Sequence, residues 1–432
     1  MKYIYALLLI ISNCWIGQNA CAQGQYEKYF ENYTLRLDYT QAGNSESQIV
    51  NFEQLRKEAE WAGPRKNLID PFNYGQYRLM VYDSATQKLI FSRGYSTLFR
   101  EWLDTPEATM RNRNFYETVV MPFPKNAVIV SIEKRQRDQT FKEIMRESID
   151  PKSIYINKEQ ALQFPIKSVV DNGSPTEKID VVVIPEGYTK SELGKFESDT
   201  RRFIDDFFET EPFKNHSKDF NFHLVMIPSE ESGTDIPGKG IWKNTALNTS
   251  FYTFESERYL TTQDIKRVRD VAGLAPYDQI YILVNTEKYG GGGVYNYYNL
   301  CSSDHQQSLR VFTHEFGHAF GSLADEYAYG YSDPEHLYDL SVEPYEPNIT
   351  TLADFASKWK DLTKKRTPIP TPDTKKYADK VGAFEGAGYV KTKIYRPVKD
   401  CKMRSNNTND FCPVCTRSLI KMIDFYADRP VK

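Results

Sequence analysis

The chain has 432 residues, enough for two or three domains. Hydrophobic residues make up 40% and charged residues 26%, the balance of a soluble globular protein and not of a disordered one. A net charge of −3 leaves no basic footprint, which excludes nucleic acid as a partner.

The N-terminus carries a targeting signal. Lys2 supplies the positive charge, Ile4–Ile11 the apolar core, and Ala20, Cys21 and Ala22 small residues for cleavage, so residues 1–22 are expected to leave an exported chain that begins at Gln23. A lipid anchor on Cys21 would need a better lipobox than Gln18 and Asn19 offer. No run approaches the ~20 apolar residues of a transmembrane span.

Residues 23–165 predict an all-β sandwich. Tyr33, Leu35, Leu37 and Tyr39 alternate with polar residues as in a half-buried strand. Tyr77, Leu79 and Val81 repeat the pattern before a turn into Leu89–Phe91, a hairpin. Tyr116–Met121 and Ala127–Ile132 suggest a further pair of strands. With 30 Tyr and 25 Phe in the whole chain, filling of strands and sticky peptide- or carbohydrate-facing surfaces both fit the composition. This stretch holds no His and no catalytic cluster.

The pattern changes past the turn-rich Val169–Pro175, and a second domain is assigned to 166–432. Ile179–Ile184, Phe222–Ile227 and Gln279–Val284 read as strands, alternating with helices from Lys190 to about Phe208 and from Gln263 to about Ala272. Such alternation predicts a sheet with helices packed on it, an α/β domain, and an α+β chain overall. His223 lies within a strand and reads as a core histidine. Gly290–Gly293 lack the Lys-Ser/Thr ending of a phosphate loop; they fit either a flexible loop or a strand edge to which an extended peptide could add. Asp304 and His305 read as loop residues, with support of a metal site as the alternative.

The chemistry concentrates in Val311–Tyr327. Val311, Phe312, Phe316, Ala319, Phe320 and Leu323 recur at helical spacing and predict a buried helix. His314 and His318, four apart, lie on one face of it, where two imidazoles can bind one zinc ion with Glu315 beside them as a base. Two buried imidazoles and a carboxylate without partners would cost about 1–3 kcal/mol each, a cost a metal offsets. Gly321 breaks the helix, and Asp325 and Glu326 offer carboxylates where the chain could return to the ion. Beyond Tyr327 the chain is irregular and proline-rich, with a possible helix over Asp354–Lys365 and a closing one from about Pro413 to Tyr426.

Without the signal's Cys14 and Cys21, four cysteines remain: Cys301, Cys401, Cys412 and Cys415. An even number in an exported chain predicts two disulfides in one of three connectivities; a structural zinc site built on Cys412-x-x-Cys415 is the alternative.

The signature His314-Glu-Phe-Gly-His318-x-x-Gly321-x-x-x-Asp325-Glu-Tyr327, with Cys401-x-Met403 and Phe411-Cys-Pro-Val-Cys415, resembles the IgA peptidase family of secreted zinc metallopeptidases. The resemblance covers the whole mature chain and implies an N-terminal β domain before a metzincin-like catalytic domain. It implies His314, His318 and Asp325 as zinc ligands, Glu315 as catalytic base, and Met403 in the turn beneath the metal. The metzincin pattern puts its third ligand at the position of Ala324; here the carboxylate comes one residue later, which leaves Glu326 as the rival ligand. Cleavage of immunoglobulin A does not follow from these residues.

The expected activity is therefore hydrolysis of peptide bonds in extracellular proteins, with one catalytic zinc whose bound water, its pKa lowered to about 7, loses a proton to Glu315. Two rivals are an exported binding module with a structural metal, which would have no need of Glu315, and a zinc amidase acting on cell-wall peptides. Substrate preference and oligomeric state have no signal in the sequence.

Overall fold

A computed structural model describes residues 24–159 and 162–431. The signal peptide expected over 1–22 lies outside them. The first part of the chain builds two four-stranded sheets from β1 (Phe30–Gly43), β2 (Gln48–Glu58), β3 (Tyr77–Asp83), β4 (Leu89–Tyr95), β5 (Arg113–Pro124), β6 (Val128–Arg135), β7 (Phe141–Ile149) and β8 (Ile156–Asn157). Their orders are β5-β1-β2-β8 and β4-β3-β6-β7. Leu35, Leu37, Tyr39, Val119 and Met121 of one sheet share a single core with Tyr77, Leu79, Val81, Val130 and Ile132 of the other.

Two expectations change here. Tyr116–Met121 and Ala127–Ile132 fall in strands of opposite sheets: β5 pairs with β1, and β6 pairs with β3 and β7. The polar residues that alternate with Leu35, Leu37 and Tyr39 in β1 do not face water. Arg36 and Asp38 are fully buried. The Arg36 guanidinium donates to Asp38 at 2.7 Å, Glu58 at 2.9 Å and Asp270 at 2.7 Å, the last from the later part of the chain. What alternation marks as a solvent face is an ion-paired contact between the two halves, and breaking such a buried pair costs about 3–5 kcal/mol.

The later part is organised by a six-stranded sheet. It contains β9 (Ile166–Val170), β10 (Ile179–Glu186), β11 (Phe220–Val225), β12 (Gln279–Val284), β13 (Gly291–Val294) and β14 (Tyr298–Ser302), in the order β13-β14-β12-β10-β11-β9. The four inner strands are parallel and the two edges antiparallel. Inner strands of a parallel sheet are buried on both faces, so they read as unbroken apolar runs. Val181, Val183, Tyr281 and Leu283 point to one face, Val182, Ile184, Ile280 and Ile282 to the other.

Helices cover both faces. α1 (Leu98–Trp102), from the first part of the chain, and α3 (Ile265–Ala272) pack on one; α2 (Leu193–Phe207), α4 (Ser308–Gly321) and α5 (Pro413–Tyr426) pack on the other. The glycine run forms the edge strand β13, and a hairpin of β15 (Phe384–Ala387) and β16 (Val390–Arg396) follows the irregular stretch. Asp354–Lys365 is not a continuous helix. It divides into two short 3-10 turns, Phe355–Ser357 and Lys360–Leu362, where the backbone of Lys358 leaves helical space at φ −92° and ψ −105°; buried Trp359 beside it donates its indole N–H to the Gly382 carbonyl at 2.7 Å. The disulfides expected from the cysteine count are also not formed: Cys301, Cys401, Cys412 and Cys415 are buried free thiols.

Candidate metal centre

Helix α4 carries the centre because its two faces differ. Phe312 stacks on Tyr281 of the central sheet, with ring centroids 3.9 Å apart, and Phe316 packs edge-on against Phe207 at 5.1 Å. The other face leaves His314, Glu315 and His318 half-buried at the base of a cleft of 1020 Å³. The helix that the apolar spacing predicted is present, and both histidines lie on one face of it.

The helix ends at Gly321, but the left-handed residue that turns the chain is Ser322, at φ 52°. Gly321 serves a different need, since a Cβ there would meet Leu419 at 2.8 Å. After the turn the chain doubles back, held by paired hydrogen bonds: Ala324 N–H to Asn348 Oδ1 at 2.7 Å, and Asn348 Nδ2 to the Ala324 carbonyl at 2.9 Å. The Glu326 N–H then donates to the Met403 carbonyl at 2.7 Å. This strap delivers Asp325 to the histidines and turns Glu326 away from them.

Three atoms converge. His314 Nε2 and His318 Nε2 are 3.1 Å apart, and Asp325 Oδ1 stands 3.1 Å from the first and 3.2 Å from the second. Each imidazole gives its Nδ1 proton to a backbone carbonyl, His314 to Lys402 at 2.9 Å and His318 to Leu323 at 2.5 Å. Both Nε2 atoms therefore present lone pairs, and buried Asp325 Oδ1 has no hydrogen-bond partner among the described residues. Three acceptors facing one another repel unless a cation lies between them. Ligand atoms about 2.0–2.1 Å from a tetrahedral zinc stand about 3.3–3.4 Å apart, so the residues present fit such an ion.

The electrostatics show the same demand for positive charge at this point. Burial disfavours the charged forms, yet Asp325 pushes His318 up to about 9, and the two imidazoles hold the Asp325 carboxyl far below the usual carboxylate range. Burial also raises Glu315, against the pull of His314 and His318. Glu315 needs open space beside it: a Cβ on Gly291 would stand 2.6 Å from its Oε1. Met403 is wholly buried directly beneath the helix, where a Cβ on Gly317 would meet its sulfur at 2.8 Å.

Several groups at the centre have no signal in the motif. Tyr389 donates to Asp325 Oδ2 at 2.5 Å from 64 residues downstream. It sits with Gly388 in the two-residue turn of the β15–β16 hairpin, both at positive φ, 68° and 58°. A bulky residue there is uncommon and strained, and this one aims its hydroxyl at a candidate ligand. From the first part of the chain, Arg100, Glu101, Lys134, Arg135 and Arg137 line the cleft wall. Glu101 accepts a hydrogen bond from Tyr259, and burial pushes its carboxyl up to about 7. The β region that the sequence left without a role is thus part of the cleft. His223, by contrast, is held by Asp180 and Ser168 at 2.9 Å each. Asp304 pairs with Lys195 at 3.0 Å, and His305 accepts the Gln307 N–H at the entry to α4.

A protein-family model described as IgA Peptidase M64 matches residues 167–378 and 373–423, and one described as Peptidase M64 N-terminus matches 25–146. No curated protein matches the chain.

Proposed function

The chain belongs to the IgA peptidase M64 family, and from that membership in a family of metallopeptidases we propose an exported, zinc-dependent endopeptidase. Its metzincin-like catalytic domain spans 166–432, and a β-sandwich domain over 23–165 helps to wall its cleft. The observation that carries this reading is the convergence of His314 Nε2, His318 Nε2 and Asp325 Oδ1 beside the Glu315 carboxylate. Zinc held by those three residues supplies Lewis-acid polarisation and a water of lowered pKa.

The remaining work falls to the chain's own groups. Glu315 takes the proton of the attacking water and returns it to the leaving amine, a role its place beside the converging His314, His318 and Asp325 side chains allows. Tyr389 fixes the orientation of Asp325, and Lys402 and Leu323 fix the imidazole tautomers. The substrate is polypeptide. A cleft of 1020 Å³ with Gly291–Gly293 of edge strand β13 along it suits an extended segment, which can pair with a strand edge by main-chain hydrogen bonds. One bridge from Tyr259 to Gly291 limits the length of edge left for that pairing. The apolar Ile4–Ile11 run supports export, and among the described residues no helix is long and apolar enough to cross a membrane.

Glu315→Gln tests the mechanism. It should retain zinc and fold while peptide hydrolysis falls about 10²–10⁴-fold. Undiminished hydrolysis by a zinc-replete variant refutes Glu315 as the base.

A further inference from the structure

Behind the candidate active site lies a second cluster that the proposed reaction does not use. Cys401, Cys412, Cys415 and Glu326 each offer one ligand atom, and these atoms all lie within 4.8 Å of one another. The side chains are buried, Glu326 and Cys415 completely. We propose that these four residues form a closed, structural zinc site, separate from the histidine centre.

The geometry fits. Cys401 Sγ and Cys415 Sγ are 3.9 Å apart, and Cys415 Sγ is 3.2 Å from Glu326 Oε1. Sulfurs about 2.3 Å from a tetrahedral zinc stand about 3.8 Å apart. Glu326 Oε1 also accepts from Asn348 Nδ2 at 3.0 Å, but Glu326 Oε2 is buried with no hydrogen-bond partner among the described residues. A buried carboxylate oxygen left unpaired is costly, and a cation removes that cost. Backbone N–H groups already point at two sulfurs, from Cys412 to Cys401 at 3.2 Å and from Cys415 to Cys412 at 3.5 Å, as thiolates require. Cys412 is also the N-cap of α5, whose amino end favours negative charge. A disulfide would use two of the three sulfurs and leave the third beside Glu326. Three thiolates and a carboxylate are a donor set for a thiophilic divalent ion, and four protein ligands leave no position for substrate.

The site joins the parts that shape the histidine centre. Cys401 leads into Lys402, whose carbonyl holds His314, and into Met403 beneath the helix. Glu326 follows Asp325 directly. The proposed ion would therefore staple the strap, the Met403 turn and α5 together.

Zinc content and X-ray absorption on the full chain, purified without chelator, test the site. Wild type should hold two zinc ions per chain, one with sulfur neighbours at about 2.3 Å. His314→Ala/His318→Ala should keep one zinc with sulfur neighbours, and Cys412→Ser should lose the sulfur signal while keeping nitrogen and oxygen neighbours. If Cys412→Ser does not fold, the other two proteins still decide. A single zinc without sulfur neighbours in wild type overturns the proposal, as does a disulfide mapped among Cys401, Cys412 and Cys415.

Discussion

Asp325 and Glu326 are consecutive residues whose carboxylates serve opposite environments. Asp325 turns towards two half-buried imidazoles at the base of a solvent-reached cleft, and Glu326 turns into a sealed group of three thiols. The open side offers nitrogen and oxygen donors from three residues; the closed side offers mostly sulfur from four. Catalytic zinc sites keep one position open for water or substrate, whereas structural sites are closed. On the proposed reading, one strap separates a place for chemistry from a place for anchoring, and donor type and exposure tell them apart.

The sharpest way to break this contrast is to remove the two carboxylates in turn. Asp325→Ala should lose the histidine-bound zinc on dialysis against a weak chelator, an effect beyond the 10–100-fold that loss of a supporting partner costs. Glu326→Ala should keep that zinc. The reverse ranking would transfer the ligand role to Glu326. Next in size is Tyr389→Phe, which leaves the donor atoms intact but removes the hydrogen bond to Asp325 Oδ2. Zinc affinity, measured by competition with a chromophoric chelator, should fall about 10–100-fold. No change would reduce Tyr389 to a wall of the cleft.

The two sides of the strap also differ in how far the sequence reveals them. His314, Glu315 and His318 declare themselves because a helix repeats every 3.6 residues, and the apolar positions between them show which face is buried. The opposed directions of Asp325 and Glu326 depend on Ser322 at positive φ and on the clamp from Asn348, neither of which has a periodic signature. Tyr389 depends on a hairpin turn 64 residues away. The cysteine count pointed to disulfides because counting pairs sulfurs with sulfurs and takes no account of a carboxylate that folds in beside them. In the fold, the unbroken apolar runs of β10 and β12 were legible as buried strands. The polar face of β1 was not, since alternation cannot distinguish water from a buried network such as Arg36 with Asp38, Glu58 and Asp270.

The smallest expected effect uses a carboxylate buried away from both clusters. Glu117 on β5 is wholly buried near Tyr297 and Arg269, and burial pushes it up from 4.5 to about 8. Its protonated form is favoured in the folded chain, so its contribution is complete below pH 4.5 and is lost as pH rises towards 8. Glu117→Gln should flatten that fall, raising the melting temperature at pH 8 by a few degrees, on the order of 2–4 °C. Parallel melting curves for both proteins across the range would contradict this assignment and show burial alone to be a poor guide to the carboxylates of the strap.

The contrast rests on a zinc ion at the point where His314, His318 and Asp325 converge. Diffraction from crystals of the full chain, recorded on both sides of the zinc absorption edge, tests it most directly. The account predicts an anomalous peak bonded to His314 Nε2, His318 Nε2 and Asp325 Oδ1, with Glu315 beside it but not bonded. A zinc-replete crystal with no peak at that point, or with Glu315 in place of Asp325 among the ligands, would contradict it.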